Sequence, residues 1–198
     1  MKLILFDFDG VLVDTLGIVF GINAKAEPGL TLEKYKSFFH GNIHDSIKAG
    51  KKKLIPDFEE QYIAETRELK VPPELKQIVQ KLSLNYTLAI VSSSSNSMIK
   101  TILEREGIDT RFADVLGSDV HTNKATKIKL ILEKHKSSAA DAVFITDTVG
   151  DVNEARACEV PAIAVTWGFH DEETLREAHP AKIVSTPAGL AQAIAELL

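Results

Sequence analysis

Cysteine is almost absent from this sequence: Cys158 is the only one in 198 residues. A single thiol excludes an internal disulfide framework and a cysteine-rich metal site, and it suits a reducing compartment such as the cytoplasm. Its expected role is that of a small buried apolar side chain. Positive charge is not in excess either. Lys and Arg number 23 against 28 Asp and Glu, a net charge of −5, so no global basic field gathers nucleic acid or an anionic membrane. Long apolar runs are missing. The apolar start, Met1 to Phe6, stops at Asp7, short of a secretion signal, and no run approaches a membrane span. There is no low-complexity tract and no internal repeat, and the six His residues are scattered without metal-ligand spacing. What is present is a 44% hydrophobic content, enough to bury the core of one domain, or of one domain with a modest insertion.

Short continuous apolar runs recur along the chain, each ending on a small polar or acidic residue. They are Leu3 to Phe6 before Asp7, Thr87 to Val91 before Ser92, Ala142 to Ile145 before Thr146 and Asp147, and Ala162 to Val165 before Thr166, with a weaker run from Ala113 to Leu116. Such runs read as buried parallel strands. Helical patterns lie between them, for example Pro73 to Leu82, with Leu75, Ile78, Val79 and Leu82 on one face, and Asn96 to Glu106 closed by Gly107. The alternation predicts an α/β fold, a Rossmann-like parallel sheet flanked by helices, with ligands outside the carboxyl ends of the strands. Thr15 to Val71 breaks the alternation. It reads as short amphipathic helices with breaks near Pro28-Gly29, His40-Gly41-Asn42 and Ile55-Pro56. The expectation is a core domain of residues 1–14 and 72–198, with residues 15–71 a small all-helical cap inserted after the first strand.

The chemistry concentrates at those strand ends. Asp7 and Asp9, spaced i, i+2, can point into one site, and Gly10 lets the backbone turn there. Asp147 and Asp151 follow another buried strand, where capping of the next helix is the simpler structural reading. Four converging carboxylates repel, each pair at ~5 Å by about 3 kcal/mol at an effective dielectric near 20. A hard divalent cation with oxygen ligands would neutralise them, and magnesium, which shares its shell with substrate phosphate oxygens, fits that need. Ser92, within Ser92 to Ser95, offers a hydroxyl and helix-opening amides to a phosphoryl oxygen. Lys124 begins a helix after the weak strand and offers a positive charge.

Taken in order, Asp7-Phe-Asp9-Gly-Val-Leu-Val-Asp-Thr, Ser92, Lys124 and Thr146-Asp147-Thr-Val-Gly-Asp151 resemble the four motifs of the haloacid dehalogenase-like superfamily, in its phosphoglycolate phosphatase and β-phosphoglucomutase-like branch. The resemblance spans nearly the whole chain. It implies a cytoplasmic hydrolase of phosphomonoesters in which Asp7 is the nucleophile and Asp9 the general acid and base. Mg²⁺ would be held by Asp7, the Asp9 carbonyl and Asp147, with Asp151 in support. Lys124 would be catalytic, and Ser92, Ser93, Gly10 and Gly41 would contact a small phosphorylated substrate. Gly41 lies in the lid loop His40 to His44, where such families often place selectivity. The sequence departs from the branch at Thr146, often Gly, and at Ala125, where Pro often follows the motif lysine, so Lys127 competes with Lys124. Asp9 argues against a dehalogenase proper, and the insertion argues against a phospho-acceptor signalling module. The same motifs would also serve a phosphomutase or, without catalysis, a phosphate- or metal-binding regulatory protein. Trp167 to His170, after the strand ending at Thr166, reads as core packing first and as an edge of the site second.

Overall fold

The structure, a computed structural model, describes residues 2–198; Met1, the first residue of the apolar start, lies outside them. Six parallel strands form one sheet: β1 (Leu3–Phe6), β2 (Thr87–Val91), β3 (Asp114–Leu116), β4 (Ala142–Thr146), β5 (Ala162–Val165) and β6 (Lys182–Val184). Their order is β3-β2-β1-β4-β5-β6, so consecutive strands run outward in both directions from β1. The chain reverses direction between β1 and β4, and a crevice opens there at the carboxyl ends. Phe6 pairs with Ile90 on one side and Ile145 on the other, which brings Asp7, Ser92 and Asp147 to the same edge.

Alternation along the strands divides the core in two. Ile4, Phe6, Leu88, Ile90, Val143, Ile145, Ile163 and Val165 face one cluster; Leu3, Leu5, Ala89, Val91, Phe144 and Ala164 face the other. Helices α5 (Pro73–Leu82), α6 (Asn96–Glu106) and α10 (Pro187–Leu197) cover the first face. The second face is covered by α7 (Lys124–Lys134), α8 (Val149–Arg156) and α9 (Glu172–Glu177). A strand buried on both sides has no room for polar side chains, hence the unbroken apolar runs. The expected α/β fold is the observed one. Helix α6 ends at Gly107 in the left-handed region (φ 65°), where a residue without Cβ is favoured. Strand β6 had no counterpart in the sequence reading. It is a three-residue, half-buried edge strand that includes Lys182, too short and too polar to stand out as a run.

Between residues 15 and 71 lie α1 (Leu16–Ala26), α2 (Leu32–Ser37), α3 (Ile43–Lys48), α4 (Phe58–Glu65) and a 3₁₀ turn at Phe38–His40. This segment contains helices and no strand, and its breaks fall at Pro28-Gly29, Gly41-Asn42 and Pro56, as anticipated. Its buried residues Val19, Ile22, Tyr35, Phe38, Ile43 and Tyr62 belong to the same apolar cluster as the first sheet face. Among the described residues, no helix is long and apolar enough to cross a membrane.

Candidate active site

Asp7 follows β1 directly, its amide donating to the Ile145 carbonyl of β4 at 2.8 Å. Sheet pairing thus fixes the backbone of this residue. Its carboxylate is buried; Oδ1 accepts from the Phe8 amide at 2.7 Å and Oδ2 from Lys124 Nζ at 2.6 Å. The same ammonium donates to Asp151 Oδ2 at 2.7 Å, and Thr146 Oγ1 donates to that oxygen at 2.8 Å. One oxygen from each of Asp7, Asp147 and Asp151 can be chosen so that all three lie within 4.8 Å of one another.

The group is short of positive charge. Burial pushes the Asp7 carboxyl well above its ordinary range despite the pull of Lys124, and Asp151 and Asp147 push in the same direction. Burial also raises Asp147, to about 7. For Asp151 burial is outweighed by Lys124 and by hydrogen bonds, Thr146 among them, which hold the carboxyl below its usual value. Lys124 is held above its usual range because Asp151 and Asp7 overcome the effect of burial. One ammonium, shared by Asp7 and Asp151, thus faces three carboxylates in a dry site.

A magnesium ion fits the donor set. Asp147 is fully buried; Oδ2 accepts from the Phe169 amide at 2.7 Å, and Oδ1 has no hydrogen-bond partner among the described residues. A buried anionic oxygen without a donor is costly unless a cation meets it. The carboxylate also sits in a cradle made of backbone. A Cβ on Gly10 or on Gly168 would collide with it, and Gly10 has φ 77°. Asp7, Asp147 and Asp151 would hold the ion through carboxylate oxygens, the ligand chemistry that magnesium takes.

The second acid of the turn faces elsewhere. Asp9 Oδ1 accepts from the Tyr62 hydroxyl of α4 at 2.7 Å, and Oδ2 from the Ser94 hydroxyl at 2.6 Å. Burial, with Asp9 beside it, holds the Tyr62 hydroxyl well above its ordinary pKa, so it stays protonated as a donor. Ser92 is fully buried; its Oγ accepts from the Ser94 amide at 3.1 Å and its carbonyl accepts from Lys127 Nζ. Lys127 also donates to the Gly117 carbonyl at 3.3 Å. Burial, then Lys124, depress the Lys127 ammonium to about 8. The two competing lysines are thus one helical turn apart with different partners: Lys124 meets carboxylates and Lys127 meets carbonyls that shape the serine loop.

Helices α6, α7 and α8 begin at this edge, capped by Ser95, Asn123 and Thr148. Thr148 caps α8, so neither Asp147 nor Asp151 is spent on that task. Gly41 and Ser93 line the cavity above the carboxylates, whereas Gly10 is not part of its wall and lies beneath Asp147. The sequence reading missed Tyr62 and gave Ser94 no role of its own. Of Trp167 to His170, Phe169 is in the apolar core with Trp167 packed against it, and Phe169 also lines the cavity; the segment orients Asp147 as well, through Gly168, the Phe169 amide and the His170 amide, which donates to the Asp147 carbonyl at 3.2 Å. Glu154 was also missed, and Asn42 was read only as part of the lid loop His40 to His44. Asn42 Nδ2 donates to Glu154 Oε1 at 2.6 Å, and Glu154 Oε2 accepts from the Lys124 amide at 2.7 Å.

A buried aspartate cluster with a lysine stands at the switch point of a doubly wound parallel sheet, the place where such sheets bind ligands. The family described as haloacid dehalogenase-like hydrolase matches residues 4–165, and the chain belongs to it. It is 27% identical to a phosphoglycolate phosphatase of Synechococcus elongatus, over 100% of this chain and 99% of that protein. It is 30% identical to the probable phosphatase IndB of Dickeya dadantii, over 93% of this chain and 89% of that one. Among solved structures, a haloacid dehalogenase-like family hydrolase of Streptococcus pneumoniae superposes with a TM-score of 0.79 at 25% identity, covering 97% of each chain. Fold, family and full-length relatives together make this chain a phosphatase.

Proposed function

We propose that the protein is a cytoplasmic, Mg²⁺-dependent phosphatase that hydrolyses a small phosphomonoester through an aspartyl-phosphate at Asp7. Residues 1–14 and 72–198 would form the core and residues 15–71 a cap above the strand ends, a division supported by the contacts of Tyr62 and Gly41 with the core edge. The observation that carries the reading is the divergence of two acids on one turn. Asp7 joins Lys124 and the aspartate cluster, while Asp9 joins two hydroxyls.

In the first step an Asp7 oxygen forms a bond to phosphorus as the ester P–O bond breaks, and Asp9 gives its proton to the departing oxygen. In the second, water attacks phosphorus, Asp9 takes the water's proton and the Asp7–phosphorus bond breaks. Hydroxyls accept as well as donate, so Tyr62 and Ser94 can accommodate both forms of Asp9. Lys124, Ser92 and Ser93 would hold the equatorial oxygens. Magnesium, bound by Asp7, Asp147, Asp151 and the Asp9 carbonyl, would supply charge neutralisation and polarise the phosphoryl group. The test is phosphate release from a panel of sugar phosphates, phosphoglycolate and nucleotides with Mg²⁺ present. Release from at least one small ester is expected, and inertness toward all of them contradicts the reading.

A further inference from the structure

The cavity above Asp7 extends well past the reacting group. Its volume is about 320 Å³, the room of roughly ten waters at ~30 Å³ each, and a phosphoryl group fills a minority of it. Asp7, Asp9, the serine loop and Lys124 form the floor. Ile43, Ile47, Ile55 and Phe58 of the insertion, with Met98 of α6, supply apolar wall. These five side chains offer no partners to the hydroxyls of a sugar, while Asn42, Glu59 and Ser118 add polar groups elsewhere on the lining.

Lys52 lines the same cavity with only 8% of its surface exposed. No carboxylate lies within ion-pair distance of it among the described residues; Nζ donates to the Lys53 carbonyl at 3.3 Å and lies 6.0 Å from the centre of the Phe58 ring. Burial, only partly offset by the more distant Glu27, lowers its pKa. A buried ammonium without a counter-ion is costly, and a ligand anion would offset that cost.

We infer that the cavity takes a phosphomonoester with an apolar body longer than two carbons and a second anionic group at its far end, set against Lys52. The inference rests on the phosphatase reading and narrows its substrate class. The experiment compares two series with the Mg²⁺-loaded enzyme: ω-carboxyalkyl phosphates from phosphoglycolate upward, and n-alkyl phosphates of matching length. Leaving-group chemistry is nearly constant from the three-carbon members onward. Each methylene that enters the apolar wall should raise kcat/KM about three- to fourfold until the cavity is full. The carboxylated members should exceed their alkyl counterparts by about tenfold or more, chiefly through KM. Lys52→Met, close in shape and without charge, should erase that advantage, so its loss on the carboxylated series exceeds its loss on the alkyl series at least tenfold, and Lys52→Arg should restore part of it. Phosphoglycolate as the best member, or equal losses on both series in Lys52→Met, overturns the inference while leaving the phosphatase reading intact. No turnover of either series or of the broader ester panel removes both.

Discussion

Asp7 and Asp9 stand two residues apart, yet their surroundings come from different parts of the chain. Asp7, Asp147, Asp151 and Lys124 are brought together by strand ends and helix starts around the sheet, and among the described residues their hydrogen-bond partners lie outside the segment 15–71. Asp9 is shared. One of its oxygens is held by Ser94 beside β2 and the other by Tyr62, which arrives from α4 in the insertion. The same split continues outward, from a floor of carboxylates and Lys124 to a roof that is largely apolar but carries Lys52. In the proposed mechanism, bond making at phosphorus would depend on the sheet's strand ends, and proton transfer to the leaving group on a contact with the segment 15–71. The contrast teaches that two acids on one turn can be given different surroundings by different parts of the chain.

The comparison can be broken from either side. Thorough chelation should take hydrolysis to background on every ester, and added Mg²⁺ should restore it; full activity without divalent cations would contradict the charge argument for the floor. Asp9→Asn should cost about 10² to 10⁴-fold on alkyl phosphates, where the leaving oxygen needs a proton, and much less in the phosphorylation step with an activated aryl phosphate. Equal losses in both would remove the acid role. Gly168→Ala introduces a Cβ into the space of the Asp147 carboxylate and should weaken Mg²⁺ about 10- to 100-fold in an activation titration, in line with other residues that orient metal ligands. An unchanged midpoint would mean that the cradle is irrelevant. Tyr62→Phe, which deletes one hydroxyl, should lower kcat on alkyl phosphates about tenfold with the Mg²⁺ midpoint unmoved. A shifted midpoint would join the two sides that the geometry keeps apart.

Legibility in the sequence follows the same divide. The floor could be read because buried parallel strands announce themselves as apolar runs, and acids placed just past their ends have few places to point. Lys124 and Lys127 could not be separated so firmly, since one helical turn carries both to the same edge and only the path of the serine loop decides which meets a carboxylate. Contacts made through backbone leave almost no trace in side-chain chemistry, so Gly168, Phe169 and His170 passed for packing although they hold Asp147. Tyr62 lies 53 residues from Asp9, on a helix whose pattern says only that one face is buried. The departure at Thr146, where the branch often has Gly, has a physical counterpart: its hydroxyl donates to Asp151. Strand β6 was missed for want of length.

The assignment of Asp7 as the nucleophile is the claim on which the rest depends. It is tested by the intact mass of the protein after brief mixing with Mg²⁺ and an activated aryl phosphate or a small phosphoryl donor. Asp9→Asn, which lacks the general base for the second step, should gain the mass of one phosphoryl group and hold it. Asp7→Asn should gain none and should turn over no ester. If Asp7→Asn acquires that mass, or keeps substantial turnover, the nucleophile is not Asp7 and the reaction must proceed by direct attack of water on phosphorus or through another residue.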